Sequence, residues 1–167
     1  MIVMPLYSPQ PAPPQSDLSL AQVRETDCAI FKAIKVDADA NRISRALTMP
    51  EYLEAWICVP DAAPGSLTLA SPEENGYRLD HYSVDRGRFS ITGCYLFCHL
   101  RKMRLFWRKT SKAFCAESVV DFRLRGNFGS SVVELRHTEL GSQDEYIWYE
   151  TLWRRSLEKL ASLFKST

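Results

Sequence analysis

An α+β fold is predicted, with an antiparallel sheet of six to seven strands set against one long C-terminal helix. Three observations predict it. From residue 66 to residue 137 the chain runs through segment after segment of alternating apolar and polar residues, the period-two pattern of strands with one buried and one solvated face. Tyr146, Tyr149, Trp153, Leu157, Leu160 and Phe164 instead recur at three- and four-residue steps, an apolar stripe along a helix. Two short segments with helix-start residues stand between the first strand and the rest. At 167 residues and 46% hydrophobic content, one domain can bury an adequate core unaided.

The elements follow in order. Residues 1–26 hold five of the nine prolines (Pro5, Pro9, Pro11, Pro13 and Pro14), which remove helix and ladder hydrogen bonds, so a flexible tail is expected there and a folded domain over 27–167. Pro11-Ala12-Pro13-Pro14 is formally a P-x-x-P element. Cys28–Val36 alternates as a first strand, with Ile30 and Ile34 on the face opposite Phe31 and Ala33. Asp37 and Asp39 offer caps for a short helix through Leu47. Thr48 with Glu51 reads as the capping box of a second helix, Pro50 in its first turn and Leu53 and Trp56 on one face. A short strand over 66–70, an Asn75-Gly76 hairpin turn, and strands over 77–84, 89–100, 102–108, 118–125 and 130–137 come next, with Gly93 the expected seat of a bulge. Ser142 and Glu145 form the S-x-x-E box that opens the long helix.

Composition excludes several classes. Lys and Arg number 21 against 20 Asp and Glu, a net charge of +1, so nothing in the overall balance points to a nucleic-acid binder. There is no membrane-length apolar run and no secretory leader pattern, and a cytoplasmic location is expected. The five cysteines (Cys28, Cys58, Cys94, Cys98, Cys115) contain no C-x-x-C. Cys94 and Cys98 on one strand would be about 13 Å apart, too far to bridge. Reduced thiols packed as small hydrophobes are the expectation.

Several segments carry a family resemblance in the right order. They are Ala46-Leu47-Thr48-x-Pro50-Glu51-x-Leu53-x-x-Trp56, Gly93 followed by Met103-Arg104-Leu105-Phe106-Trp107, Glu117-Ser118-Val119-Val120, Leu135-x-His137-x-x-Leu140, and Trp153-x-x-x-Leu157-x-x-Leu160. Over about residues 27–165 the set resembles the START-like, or SRPBCC, helix-grip superfamily, and most of all its branch named for activators of the heat-shock-protein-90 ATPase. The resemblance implies a curved sheet gripping the terminal helix and a ligand cavity between them. Residues expected to face that cavity are Leu79, His81, Tyr95, Met103, Leu105, Trp107, Val120, Phe122, Val133, Leu135, Tyr149, Glu150 and Trp153, aromatic walls with a few polar tips suited to a small hydrophobic or aromatic molecule. Asp85-Arg86-Gly87-Arg88 stands where such proteins commonly carry a glycine pair, and the co-chaperone activity itself is not expected to carry over.

The chemistry-bearing residues leave two alternatives beside ligand binding. A cyclase- or lyase-type enzyme would draw its base from Glu150, His81 or Tyr95, though no spacing joins them into a constellation. His137 reads as a hydrogen-bonding group at a strand end, and His99 as solvated. No cysteine or histidine spacing suits a metal, and no cofactor motif is present, so none is expected. The second alternative is an interaction module. Arg86, Arg88, Arg101, Lys102, Arg104, Arg108, Lys109 and Lys112 fall in a stretch from Arg86 to Ala116 free of Asp and Glu, a basic hairpin over Arg86–Lys112 that could hold an acidic protein. Neither nucleic acid nor membrane is an expected partner.

Overall fold

The computed structural model describes residues 28–60, 62–83, 87–112 and 115–165; the proline-rich segment 1–26 lies outside them. Among the described residues the order is β1 (Ile30–Val36), α1 (Ala40–Thr48), α2 (Pro50–Trp56), β2 (Leu67–Glu73), β3 (Gly76–Ser83), β4 (Gly87–His99), β5 (Lys102–Ser111), β6 (Cys115–Asn127), β7 (Ser130–Thr138) and α3 (Gln143–Ser162). Strands β2 to β7 form an antiparallel meander, and β1 closes onto β7, giving a single sheet in the order β1-β7-β6-β5-β4-β3-β2. This is the α+β helix-grip arrangement. The alternation read from the sequence sorts the faces: Tyr77, Leu79 and His81, then Met103, Leu105 and Trp107, then Val120, Phe122 and Leu124, then Val133, Leu135 and His137 are all buried on the face beneath α3.

Several local expectations are corrected. The Thr48–Glu51 box does not form. Pro50 disfavours helical backbone at the residue before it, so Met49 is extended (φ −91°, ψ 125°) and separates the two helices. Thr48 therefore closes α1, donating its hydroxyl to Ser44 O, while Asp39 caps the start of α1 by accepting from Arg42 N–H. The β2–β3 turn is Glu74-Asn75 and not Asn75-Gly76, because Glu73 pairs with Gly76. Gly76 is needed as the first residue of β3: a Cβ there would lie 1.8 Å from Gly93 O. Gly93 hosts no bulge. It faces the Tyr77 ring, whose atoms would come within 2.8 Å of an added Cβ, and the register shift falls instead between Tyr95 and Phe97. Cys94, Cys98 and Cys115 are exposed rather than packed, and Cys28 and Cys58 are half-buried; among the described residues none of them forms a disulfide.

Helix α3 begins as predicted. Ser142 Oγ accepts from Glu145 N–H, and the Glu145 carboxylate reaches back to Gly141 N–H. Its buried side includes Leu152, Ser156 and Ala161 besides the predicted stripe, of which Tyr146 and Phe164 are only half-buried. Ser156 is buried because it accepts Cys58 N–H at 2.8 Å, tying the chain beyond α2 to α3.

Candidate functional site

The space between sheet and helix is aromatic. Trp153 projects from α3 onto Trp107 of β5, ring centroids 5.2 Å apart, and edge-on to Phe122 of β6 at 5.8 Å. Tyr77 meets Trp107 edge-on at 6.0 Å and Tyr95 at 6.2 Å. Trp107 and Trp153 have no exposed surface. These rings fill the middle of the grip.

One polar node is built into them. Trp153 Nε1–H donates to His137 Nδ1 at 2.9 Å. An indole nitrogen can only donate, so His137 Nδ1 carries no proton, and the neutral ring holds its hydrogen on Nε2, 2.7 Å from Ser118 Oγ. Ser118 then donates to Trp107 O in a long 3.4 Å contact. Burial pushes the His137 imidazole down to about 3, so it is neutral at physiological pH. His137 thus has the hydrogen-bonding role expected of it.

Beside this node the polar accounting changes. Trp107 Nε1 and the Tyr149 hydroxyl are buried, and neither makes a well-formed hydrogen bond; the Tyr149 oxygen is only favourably placed near the Trp107 indole and Ser118. Burial raises the Tyr149 phenol above its usual range, so it is a protonated donor. The Tyr95 hydroxyl, further along β4, is also without a partner. Next on the inner face of β5 comes Lys109, whose ammonium lies 3.4 Å from the Trp148 ring centroid, 5.2 Å from that of Phe89 and 5.9 Å from that of Tyr149. Burial pulls it down to about 8 against the opposing pull of Glu145. Phe89 and Trp148 are half-buried and stack edge-on at 5.9 Å, forming the rim where this end of the grip meets solvent.

The other expected residues divide. Leu79, Met103, Leu105, Val120, Phe122, Val133 and Leu135 form the apolar core around the aromatic cluster. The candidate bases are not brought together. His81 Nδ1 is within 3.0 Å of Thr68 Oγ1 at the β2 edge, whereas Glu150 bonds Lys32 on β1, at the opposite edge. Asp80 is turned away from His81. Burial would raise its carboxyl, but Ser90, Arg78 and Arg88 outweigh that and hold it at about 2. Among the described residues no cluster of His, Cys, Asp and Glu could hold a metal.

Part of the basic hairpin is neutralised by its neighbours. Arg88 pairs with Asp80, Arg104 with Asp121 and Arg108 with Glu117, while Arg101 donates to Gly126 O. Lys109 belongs to the inner face. Arg86 lies outside the described residues. The alternation Met103, Leu105, Trp107 already carries Lys109 to the inner side, which is the signal by which its place, missed in the sequence, could have been found.

Residues 37–165 match the sequence family described as activator of Hsp90 ATPase homolog 1-like protein. The chain belongs to this family. No curated protein matches it. Its fold is shared with protein CV1439 from Chromobacterium violaceum (16% identity, 83% of this chain and 99% of that one, TM-score 0.68) and with the AHSA1 protein from Silicibacter pomeroyi (16%, 81% and 96%, TM-score 0.65). CalU16 from Micromonospora echinospora is similar too (17%, 82% and 76%, TM-score 0.57). The fold of this AHSA1-like chain is compatible with ligand binding, and no helix among the described residues is long and apolar enough to cross a membrane.

Proposed function

We propose that this AHSA1-like protein binds a small aromatic or hydrophobic molecule carrying a carbonyl or carboxylate oxygen, at the Trp148–Phe89 end of the grip. The observation that carries the reading is the pair of buried donors, Trp107 Nε1 and Tyr149 O–H, neither in a well-formed hydrogen bond, beside a lysine ringed by aromatics. A buried donor without an acceptor costs about 1–3 kcal/mol, and a ligand oxygen recovers it. The rings supply the apolar wall, and Lys109 favours an anionic end. Of the residues expected to line the cavity, Trp107 and Tyr149 then make polar contacts, while Trp153, Phe122 and their neighbours set the floor.

The test is an NMR titration with 2-naphthoate, following the indole N–H resonances. The Trp107 indole signal is expected to move downfield on saturation, with backbone shifts confined to the surroundings of Phe89, Lys109 and Tyr149. Lys109→Met should weaken naphthoate binding about tenfold, the scale of one charge-assisted hydrogen bond. A Trp107 indole resonance that stays in place at millimolar naphthoate would refute the reading.

A further inference from the structure

The face of the sheet turned away from α3 is not flat. Two cross-strand rows of side chains stand on it: Phe31, Arg136, Asp121 and Arg104 form one, in register across β1, β7, β6 and β5, and Glu134, Arg123 and Lys102, with the small Ala33 at its β1 end, form the other. Between them runs a trench of about 580 Å³. Lys32, Leu135 and Phe122 also line it, and since alternation sends their side chains to the other face, their main chain forms its floor.

The walls are cationic and prearranged. Arg104 grips Asp121 through two hydrogen bonds of 2.7 and 3.1 Å, and Glu134 is held by Arg125 at 3.0 Å. Among the described residues Lys102, Arg123 and Arg136 have no carboxylate partner, and the two rows set four cations against two anions, a local surplus of +2. The Arg136 guanidinium stacks over Phe31, which is 66% exposed, and Lys102 over Phe97. Three strand spacings make the trench about 15 Å long, enough for four or five residues of extended chain.

We propose that this trench binds an extended acidic segment of a partner protein. Its carboxylates meet Arg123, Arg136 and Lys102, and an apolar side chain lies on Phe31. The alternation of charge along the rows selects a peptide over a nucleic acid: Asp121 and Glu134 repel a strand with a phosphate at every step, whereas a peptide can place neutral residues opposite them. This site is on the opposite face from the ligand site above and stands independently of it.

The experiment is fluorescence anisotropy with a labelled hexapeptide alternating glutamate and leucine around one phenylalanine, and with a hexathymidylate of matched label. The peptide is expected to bind the full chain, and Arg123→Gln/Arg136→Gln to lose at least tenfold in affinity. Lys112→Gln, in the same basic segment of the sequence but outside the trench, should bind as the parent does. The neutral replacements avoid setting a glutamate beside Glu134, and a matching thermal midpoint shows that the fold is kept. Failure of the peptide to bind, equal loss in the Lys112 variant, or hexathymidylate binding as tightly as the peptide would each overturn the proposal.

Discussion

Protonation of His137 should unfold this protein as the pH falls, by an amount the structure lets one work out. Its Nδ1 is occupied by the Trp153 N–H, so a second proton has nowhere to go without breaking that bond and charging a fully buried ring. The imidazole is held at about 3, against 6.5 in the unfolded chain. Between those values the unfolded state binds the extra proton, so stability is complete above pH 6.5 and is lost as pH falls toward 3. At pH 4.5 the loss is RT ln[(1 + 10^2)/(1 + 10^−1.5)], about 3 kcal/mol. Asp80, at about 2, starts to contribute only below its unfolded value near 3.8, so pH 4.5 is clear of it. His81, also lowered by burial, adds to the slope of any protein that retains it. The assay is urea unfolding at pH 7.5 and 4.5, for the parent and for His137→Gln. The variant starts less stable, but the parent should lose about 3 kcal/mol more than it does between the two pH values. Equal losses in the two proteins would refute the buried neutral histidine.

The remaining expectations concern packing and the rim. Trp153→Ala should cost about 3–5 kcal/mol in urea unfolding, since it empties the centre of the grip and strips His137 of its donor; a loss below about 1 kcal/mol would mean that α3 does not lie here. Gly76→Ala drives a methyl into Gly93 O and should lower the thermal midpoint far more than Gly65→Ala, where nothing lies within 4 Å. Lys109 is lowered in the folded state, so stability should rise between pH 8 and 10.5 as the unfolded chain holds the proton longer; Lys109→Met should flatten that rise.

Most of the fold is legible because strand alternation is local. Met103, Leu105 and Trp107 announce a buried face within five residues, and Ser142 with Glu145 announces a helix within four. Of what failed, the cap at Thr48 was a local matter, and the rest depended on neighbours far along the chain. Thr48 and Glu51 have the right spacing for a cap, but Pro50 imposes an extended Met49 between the helices. Gly93 reads as a bulge, yet it is glycine because of Tyr77, sixteen positions earlier. The basic stretch before Ala116 looks like an unbalanced patch, but Asp121 and Glu117 are brought opposite Arg104 and Arg108 by the β5–β6 register, which the local pattern does not determine. The site was legible in part for the same reason. The residues expected to line a cavity do share one face; whether they leave room or fill it depends on how Trp107, Trp153 and Tyr149 interlock across strand and helix.

The bulge at Leu96 shows how the two faces are coupled. Up to Tyr95, the odd-numbered residues of β4 face the helix, and Tyr95 pairs with Leu105. Beyond the extra residue the parity reverses: Cys98 pairs with Met103 on the inner face, and Phe97 pairs with Arg104 on the outer one. By bulging at Leu96 instead of running on in register, which would set Phe97 opposite Met103, the strand keeps a phenylalanine out of an interior already filled by Tyr77, Trp107 and Trp153, and sets it where Lys102 and Arg104 stack upon it. The same step that relieves the core thus orders two of the cations that wall the trench. A sheet in unbroken register would have crowded the grip and left those side chains unsupported. The filled interior and the cationic outer face are, at β4, consequences of a single bulge.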